Sequence, residues 1–315
     1  MPREPRKIVW TGRLFLWICA AIEAALAISA AVVLEGLDRD STFPLYLALY
    51  LAMSLPWLAA SFIAVRETSL KGSDIALVLG VATILRAFFL LTGPVLSDDV
   101  YRYIWDGRVQ HAGINPYRYA PDDPNLAPLR DELPEIYAGI NNRDIPTLYP
   151  PLMELLFYAA TAVSSSLLWM KAFFTLFDLA LILALTRLLT ALGLSPLRAL
   201  VYAWSPLPLV EIAGSGHNDV AAVFFLVAAL WAFEKGRELG SIALATASGL
   251  AKLAGFALLP FFARFVRLRT FWAVPLATAI AVLPYASAGE LAFRGLREYA
   301  LRWRGNDSLF HALFL

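Results

Sequence analysis

Cysteine is nearly missing from this 315-residue chain: Cys19 is the only one, and it lies inside an apolar segment. That excludes an intramolecular disulfide and any paired-cysteine metal or redox centre. Histidine is scarce too, and its three occurrences, at positions 111, 217 and 311, are too scattered for a ligand cluster, so no zinc site is expected. Charged residues make up 16% of the chain, against about 25% in an ordinary soluble domain. The 26 Lys and Arg nearly balance 25 Asp and Glu, and a net charge of +1 gives no whole-molecule reason to bind nucleic acid. Fixed-period repeats and low-complexity tracts are also lacking, which excludes a repeat architecture.

Long apolar runs, by contrast, fill the sequence, and 59% of its residues are hydrophobic. A hydrocarbon core of about 30 Å takes about 20 apolar residues in a helix, because non-helical backbone facing lipid would leave polar groups unpaired. Residues 14–33, 43–65 and 75–93 fit that requirement. Arg3, Arg6, Lys7 and Arg13 precede the first, and Ala27, Ser29 and Ala30 lie near its end. It reads either as a cleaved signal peptide or as a retained span, and the retained span is the expectation. Basic residues mark cytoplasmic ends, so the N-terminus is placed in the cytoplasm and the connection carrying Glu35, Asp38 and Asp40 outside. Arg66 and Lys71 put the next connection inside, and a third crossing delivers residues 94–150 to the extracytoplasmic face of a multi-pass protein, with the cell membrane as the expected location.

Residues 94–150 are the one long polar stretch. Eight prolines, nine acids and five arginines make it a structured excursion instead of a flexible linker. At its start Ser97 precedes Asp98 and Asp99 as a helix cap would, and Gly113 with Pro116 supplies a stop about four turns later. Tyr101, Ile104, Trp105 and Arg108 share one face at helical spacing, which predicts a short amphipathic helix lying flat at headgroup level.

Further apolar segments occupy about 151–167, 170–189, 197–213, 220–233, 241–263 and 271–287, with basic residues at Arg187, Arg198, Lys235, Arg237, Arg264, Arg267 and Arg269 marking cytoplasmic ends. Simple crossings do not close the count of sides. The expectation is that 241–263 is a re-entrant pair broken near Gly249 and Lys252, and that one segment between 151 and 189 is incomplete.

The run Ser97-Asp98-Asp99-Val100-Tyr101-Arg102-Tyr103-Ile104-Trp105-Asp106-Gly107-Arg108, followed by Ala112-Gly113-Ile114-Asn115-Pro116-Tyr117, resembles the first external loop of GT-C-type glycosyltransferases, most closely polyprenyl-phosphomannose-dependent mannosyltransferases. Tyr149-Pro150-Pro151-Leu152, Gly216-His217-Asn218-Asp219 and Gly249-Leu250-Ala251-Lys252 leading to Leu258-Leu259-Pro260 continue the likeness in the family's order. The resemblance implies an all-α, GT-C-like integral membrane bundle of about 8–10 spanning or re-entrant segments in a single domain over 1–315. It also implies a polyprenyl-phosphate sugar donor and inverting transfer of a hexose, mannose by the closest likeness, to a lipid or glycan acceptor on the extracytoplasmic side. An apolar helix begins at Leu309 after Asn306-Asp307-Ser308 and stops almost at once, so truncation at the C-terminus relative to the family is expected.

Such a transfer needs a base for the acceptor hydroxyl and cations for the departing phosphate. Asp98 and Asp99 are the paired carboxylates of the loop. Neighbours on a helix point about 100° apart, so at most one reaches the acceptor while the other pairs with Arg102 or a metal, and the reading leans slightly to Asp98 as base. The plainer alternative is that both merely complement the helix dipole. Asp106, four residues after Arg102, reads as a salt-bridge partner. Arg102, His217, Lys252, Arg302 and Arg304 are the candidate phosphate ligands. Tyr101, Tyr149, Glu211, Asn218 and Asp219 are the candidate substrate contacts. Surface-loop and interface-arginine readings compete for the 211–219 knot and for Arg302 and Arg304. Glu23, Arg86, Glu154, Lys171 and Asp178 read as interhelical partners. No cofactor is required; a divalent metal at Asp98 and Asp99 is an alternative not favoured. A lipid or solute transporter and a truncated, non-catalytic polyprenyl-lipid binder are the rival readings.

Overall fold

The computed structural model describes residues 6–36, 42–66 and 72–302, so Arg304 and the 306–315 segment lie outside the described residues. Every element among the described residues is helical. Four helices are long and apolar enough to cross a membrane, Gly12–Glu35, Phe43–Arg66, Leu167–Ala191 and Leu268–Arg302, which makes the chain an all-α polytopic membrane protein.

Helices α1 (Arg6–Glu35), α2 (Phe43–Arg66) and α3 (Gly72–Leu90) pack as one group. Small residues such as Ala27, Ala30 and Ala31 let the backbones close, while Leu14, Val32, Leu51, Leu55 and Leu58 stay more than half exposed, the distribution expected where lipid covers the outside. Arg13 pairs with Asp74 at 3.2 Å where α1 and α3 begin. The Gly93 N–H donates to Glu35 at 2.8 Å where they end.

Helix α4 (Asp99–His111) opens the polar excursion and ends at Gly113, whose φ of +74° supplies the predicted stop. Ile104 and Trp105 are buried in protein, with Trp105 and Val109 packed on Leu126, Leu129 and Ile140 of the excursion's own small core, so the amphipathic face predicted for headgroups is turned inward. On its other side α4 meets α5 (Pro151–Thr161) through Gly107, where a Cβ would lie 2.4 Å from Thr161 Oγ1. Tyr103 stacks on Phe157 at 4.7 Å and meets Tyr149 edge-on at 5.2 Å. Such pairs contribute about 0.5–1.5 kcal/mol each beyond burial, which fixes the rotation of α4.

With 11 residues, α5 reaches roughly 16 Å at 1.5 Å per residue, the incomplete segment foreseen between 151 and 189. Helix α6 (Leu167–Ala191) starts beside it and α7 (Asp219–Glu234) runs parallel to α6: Lys171 touches Gly216 near both starts, and Phe177 packs on Phe224 and Phe225 further along. The expected interhelical pairing holds for Arg86 and Asp178, fully buried at 2.7 Å, and Lys171 donates to the carbonyls of Phe89, Leu90 and Thr92 at the end of α3. It does not hold for Glu23, whose two carboxylate oxygens are buried with no hydrogen-bond partner among the described residues.

Helix α8 (Glu238–Ala251) returns antiparallel to α7 and breaks at Lys252, whose backbone is extended at φ −148° and ψ 123°. The chain then folds back along α8 through 3₁₀ and α turns, and Arg267 meets Glu238 at 2.8 Å, so 238–267 is a hairpin with Lys252 at its tip. Gly249 and Gly255 allow the close return: a Cβ on Gly249 would sit 2.4 Å from the Phe256 ring. The next segment, α9 (Ala273–Val282), leads to Tyr285, which packs on Tyr117. Helix α10 (Arg294–Arg302) then lies over residues 146–147, with Gly295 too close to the Thr147 carbonyl for any side chain.

Candidate active site

Five separate pieces of chain meet around one cavity of about 400 Å³. Helix α4 contributes Asp99, Arg102 and Tyr103; the excursion contributes Asn141, Asn142 and Tyr149; the turn before α7 contributes His217, and the first residue of α7 is Asp219; the hairpin tip contributes Lys252. Leu296 and Tyr299 of α10 close one side.

Of the two paired aspartates, Asp99 reaches this cavity. Asp98, towards which the sequence reading leaned, is exposed and takes a hydrogen bond from Asn141. Burial raises the Asp99 carboxyl above the ordinary carboxylate range, with the charge of Asp98 adding to it and His217 opposing it. A carboxylate with a raised pKa is a stronger proton acceptor.

Arg102 pairs with Asp106 at 2.8 Å, as its i+4 spacing predicted, and not with either loop aspartate. It also donates to the Ile145 carbonyl at 3.0 Å, and its remaining Nη2 is buried with no partner among the described residues. Lys252 bonds Asp219 at 2.7 Å and Asn218 Oδ1 at 3.5 Å. Asn218 itself is fully buried behind the lining, whereas the side chain of Asp219 is 59% exposed, so water screens its charge. His217 Nδ1 lies 2.9 Å from Glu211, and this hydrogen bond raises the imidazole pKa against the opposing effect of burial. The site therefore sets Asp99 and Asp219 against an arginine, an imidazole and an ammonium, a combination suited to proton removal beside an anionic group.

Other sequence candidates fall elsewhere. Tyr101 is half-buried against Gly139, outside the lining. Glu211 stands behind His217. Arg302 pairs with Asp144 at 2.7 Å and Glu298 at 2.9 Å on the outer side of α10, and holds the Asp144 carboxyl below the usual range. Asn141, Asn142 and Tyr299 were missed. The signal for the first two was an amide pair just ahead of the Tyr149 motif. Tyr299 lies three residues before Arg302, in a stretch whose arginines alone carried a charge signal for phosphate.

A family model described as alpha-(1->6)-mannopyranosyltransferase, N-terminal domain, of the MptA_B family, matches residues 10–268. No curated protein and no solved structure matches the chain.

Proposed function

The chain belongs to the alpha-(1->6)-mannopyranosyltransferase family and is a membrane-embedded mannosyltransferase, and on that premise we propose that it moves mannose from a polyprenyl-phosphate donor to a lipid or glycan acceptor on the extracytoplasmic face. The observation that carries this reading is the meeting of Asp99, Arg102, His217 and Lys252 around one cavity.

In the proposed step, Asp99 takes the acceptor hydroxyl proton as the acceptor oxygen bonds to the anomeric carbon. The bond from that carbon to the phosphate oxygen breaks on the opposite face, which inverts the configuration. The donor phosphodiester carries one negative charge and the departing monoester gains a second. Lys252, the free Nη2 of Arg102 and His217 are the groups to meet it. Because side-chain cations meet that charge, no divalent metal is assigned to the step. Tyr149, Asn141 and Asn142 are assigned to the sugar, and Leu253, Leu296 and Ile145 offer apolar surface beside it.

The side of the membrane rests on charge. Arg13, Arg66, Arg198, Lys235, Arg237 and Arg267 gather at helix ends remote from the cavity: Arg13 beside Asp74, Arg198 beside Val65, and Lys235 with Arg237 and Arg267 around the start of α8. Positively charged ends stay cytoplasmic, which leaves the cavity outside.

The experiment is mannosyl transfer by purified protein in lipid, with Asp99→Asn beside Asp98→Asn. Loss of a general base costs typically 10²–10⁴ in rate. The expected outcome is such a loss for Asp99→Asn with donor binding retained, and a smaller effect for Asp98→Asn. Donor binding without transfer to any acceptor would support the non-catalytic lipid binder, and no donor binding would support a transporter.

A further inference from the structure

The turn that delivers His217 is built by an unusual piece of helix. Pro206 and Pro208 remove two backbone donors, and the chain continues as a six-residue π-helix, Leu209–Gly214. Single π-turns are rare and are frequent at functional sites. Here the wide turn closes with the Ser215 N–H on the Val210 carbonyl at 2.9 Å, and Gly216, at φ +81°, reverses the chain. Glu211 then grips His217 twice: its carbonyl accepts the His217 N–H at 3.0 Å, and its carboxylate meets Nδ1 at 2.9 Å. With Nδ1 engaged behind, Nε2 is the nitrogen left to face the cavity.

We propose that Glu211 is a positioning residue that holds His217 as a cavity-facing imidazolium, and that His217 acts as the general acid by giving its Nε2 proton to the departing phosphate. This rests on the transfer reading above. The step balances: as the bond between the anomeric carbon and the phosphate oxygen breaks, a phosphate oxygen takes the Nε2 proton. The polyprenyl phosphate then leaves with one negative charge, the imidazole becomes neutral, and Asp99 carries the acceptor proton. Glu211, which the sequence placed among substrate contacts, acts through His217.

The charged and titratable groups around the imidazole come from several elements. Asp99 faces it from α4 and Asp219 from α7, and both favour the cation. Lys252, at the hairpin tip, is held on Asp219. Lys171 of α6 touches Gly216 with its stem while its ammonium points to the α3 carbonyls. Tyr46 and Tyr50 of α2 face Glu211. Glu211 is the largest of the influences raising the His217 pKa, so an amide in its place lowers the pH at which His217 loses its proton.

Three histidines make the test direct. Histidine-labelled protein in nanodiscs gives three imidazole signals by NMR, and His217→Gln identifies one of them. In Glu211→Gln the His217 midpoint is expected to fall by about one pH unit or more, and the alkaline limb of the kcat profile is expected to move down with it. An unmoved midpoint overturns the hold of Glu211 on His217, and a moved midpoint with an unmoved alkaline limb overturns the acid role. Wild-type protein that transfers no mannose at any pH sinks the transfer reading and the acid role together, and the NMR midpoint separates that failure from a failure of the Glu211–His217 pair.

Discussion

Asp98 and Asp99 are the same chemical group one residue apart, and only tertiary packing tells them apart. Residues adjacent on a helix point about 100° from one another. Once Gly107 and Tyr103 seat α4 on α5, Asp99 turns to the cavity and Asp98 to Asn141. That choice was not legible in the sequence because it depends on which face of α4 meets a helix some fifty residues later. The i+4 pair of Arg102 and Asp106 was legible, because its partners lie on one helix. In the proposed reaction, the raised pKa of Asp99 and that of His217 give a bell-shaped rate profile. Activity rises as Asp99 ionises, above the ordinary carboxylate range, and falls as His217 loses its proton, above the ordinary histidine range; a kcat titration checks both limbs. Substituting Lys252 by Met keeps the stem and removes the charge, and transfer is expected to fall by roughly 10²-fold, the scale of losing one preorganised electrostatic contact, measured as kcat/KM for the donor.

At the scale of elements, the sequence specified what was local. The stop of α4 followed from Gly113 and Pro116 and the break at Lys252 from the glycines and a lysine in the middle of an apolar segment, whereas the cap read at Ser97 falls one residue later, on Asp98, which makes no side-chain capping bond. The face that α4 presents was misread because Leu126, Leu129 and Ile140, which bury Trp105, are brought to it only by the turns between. The close α4–α5 contact gives a sharp prediction. Gly107→Ala places a methyl group 2.4 Å from Thr161 Oγ1 and 2.6 Å from the Phe157 carbonyl, and overpacking of this kind costs typically 1–3 kcal/mol. A lower thermal unfolding midpoint in detergent, with the Asp99 side of the cavity disturbed and donor KM raised, is the expected outcome. Gly36, with open space around it, takes the same change without loss.

At the scale of the whole molecule, the directions of the helices bear on a count that simple hydropathy left open. With α5 short and 238–267 doubled back at Lys252, α1, α3 and α8 run towards the cavity end while α2, α6 and α7 run away from it. Mannosyl transfer follows from the family, and the cavity lined by Asp99, Arg102, His217 and Lys252 is the place proposed for it. Topology is checked with single cysteines in a Cys19→Ala background: Glu132→Cys is expected to react with an impermeant thiol reagent added outside intact cells and Lys235→Cys only after permeabilisation, and the reverse pattern would put the cavity in the cytoplasm. The most direct test of the central claim is transfer of labelled mannose from polyprenyl-phosphomannose by the purified protein in vesicles, with Asp99→Asn in parallel. Product from the wild type, a loss of 10²-fold or more in Asp99→Asn and equal donor binding by both is the expected result; full activity in Asp99→Asn would contradict it.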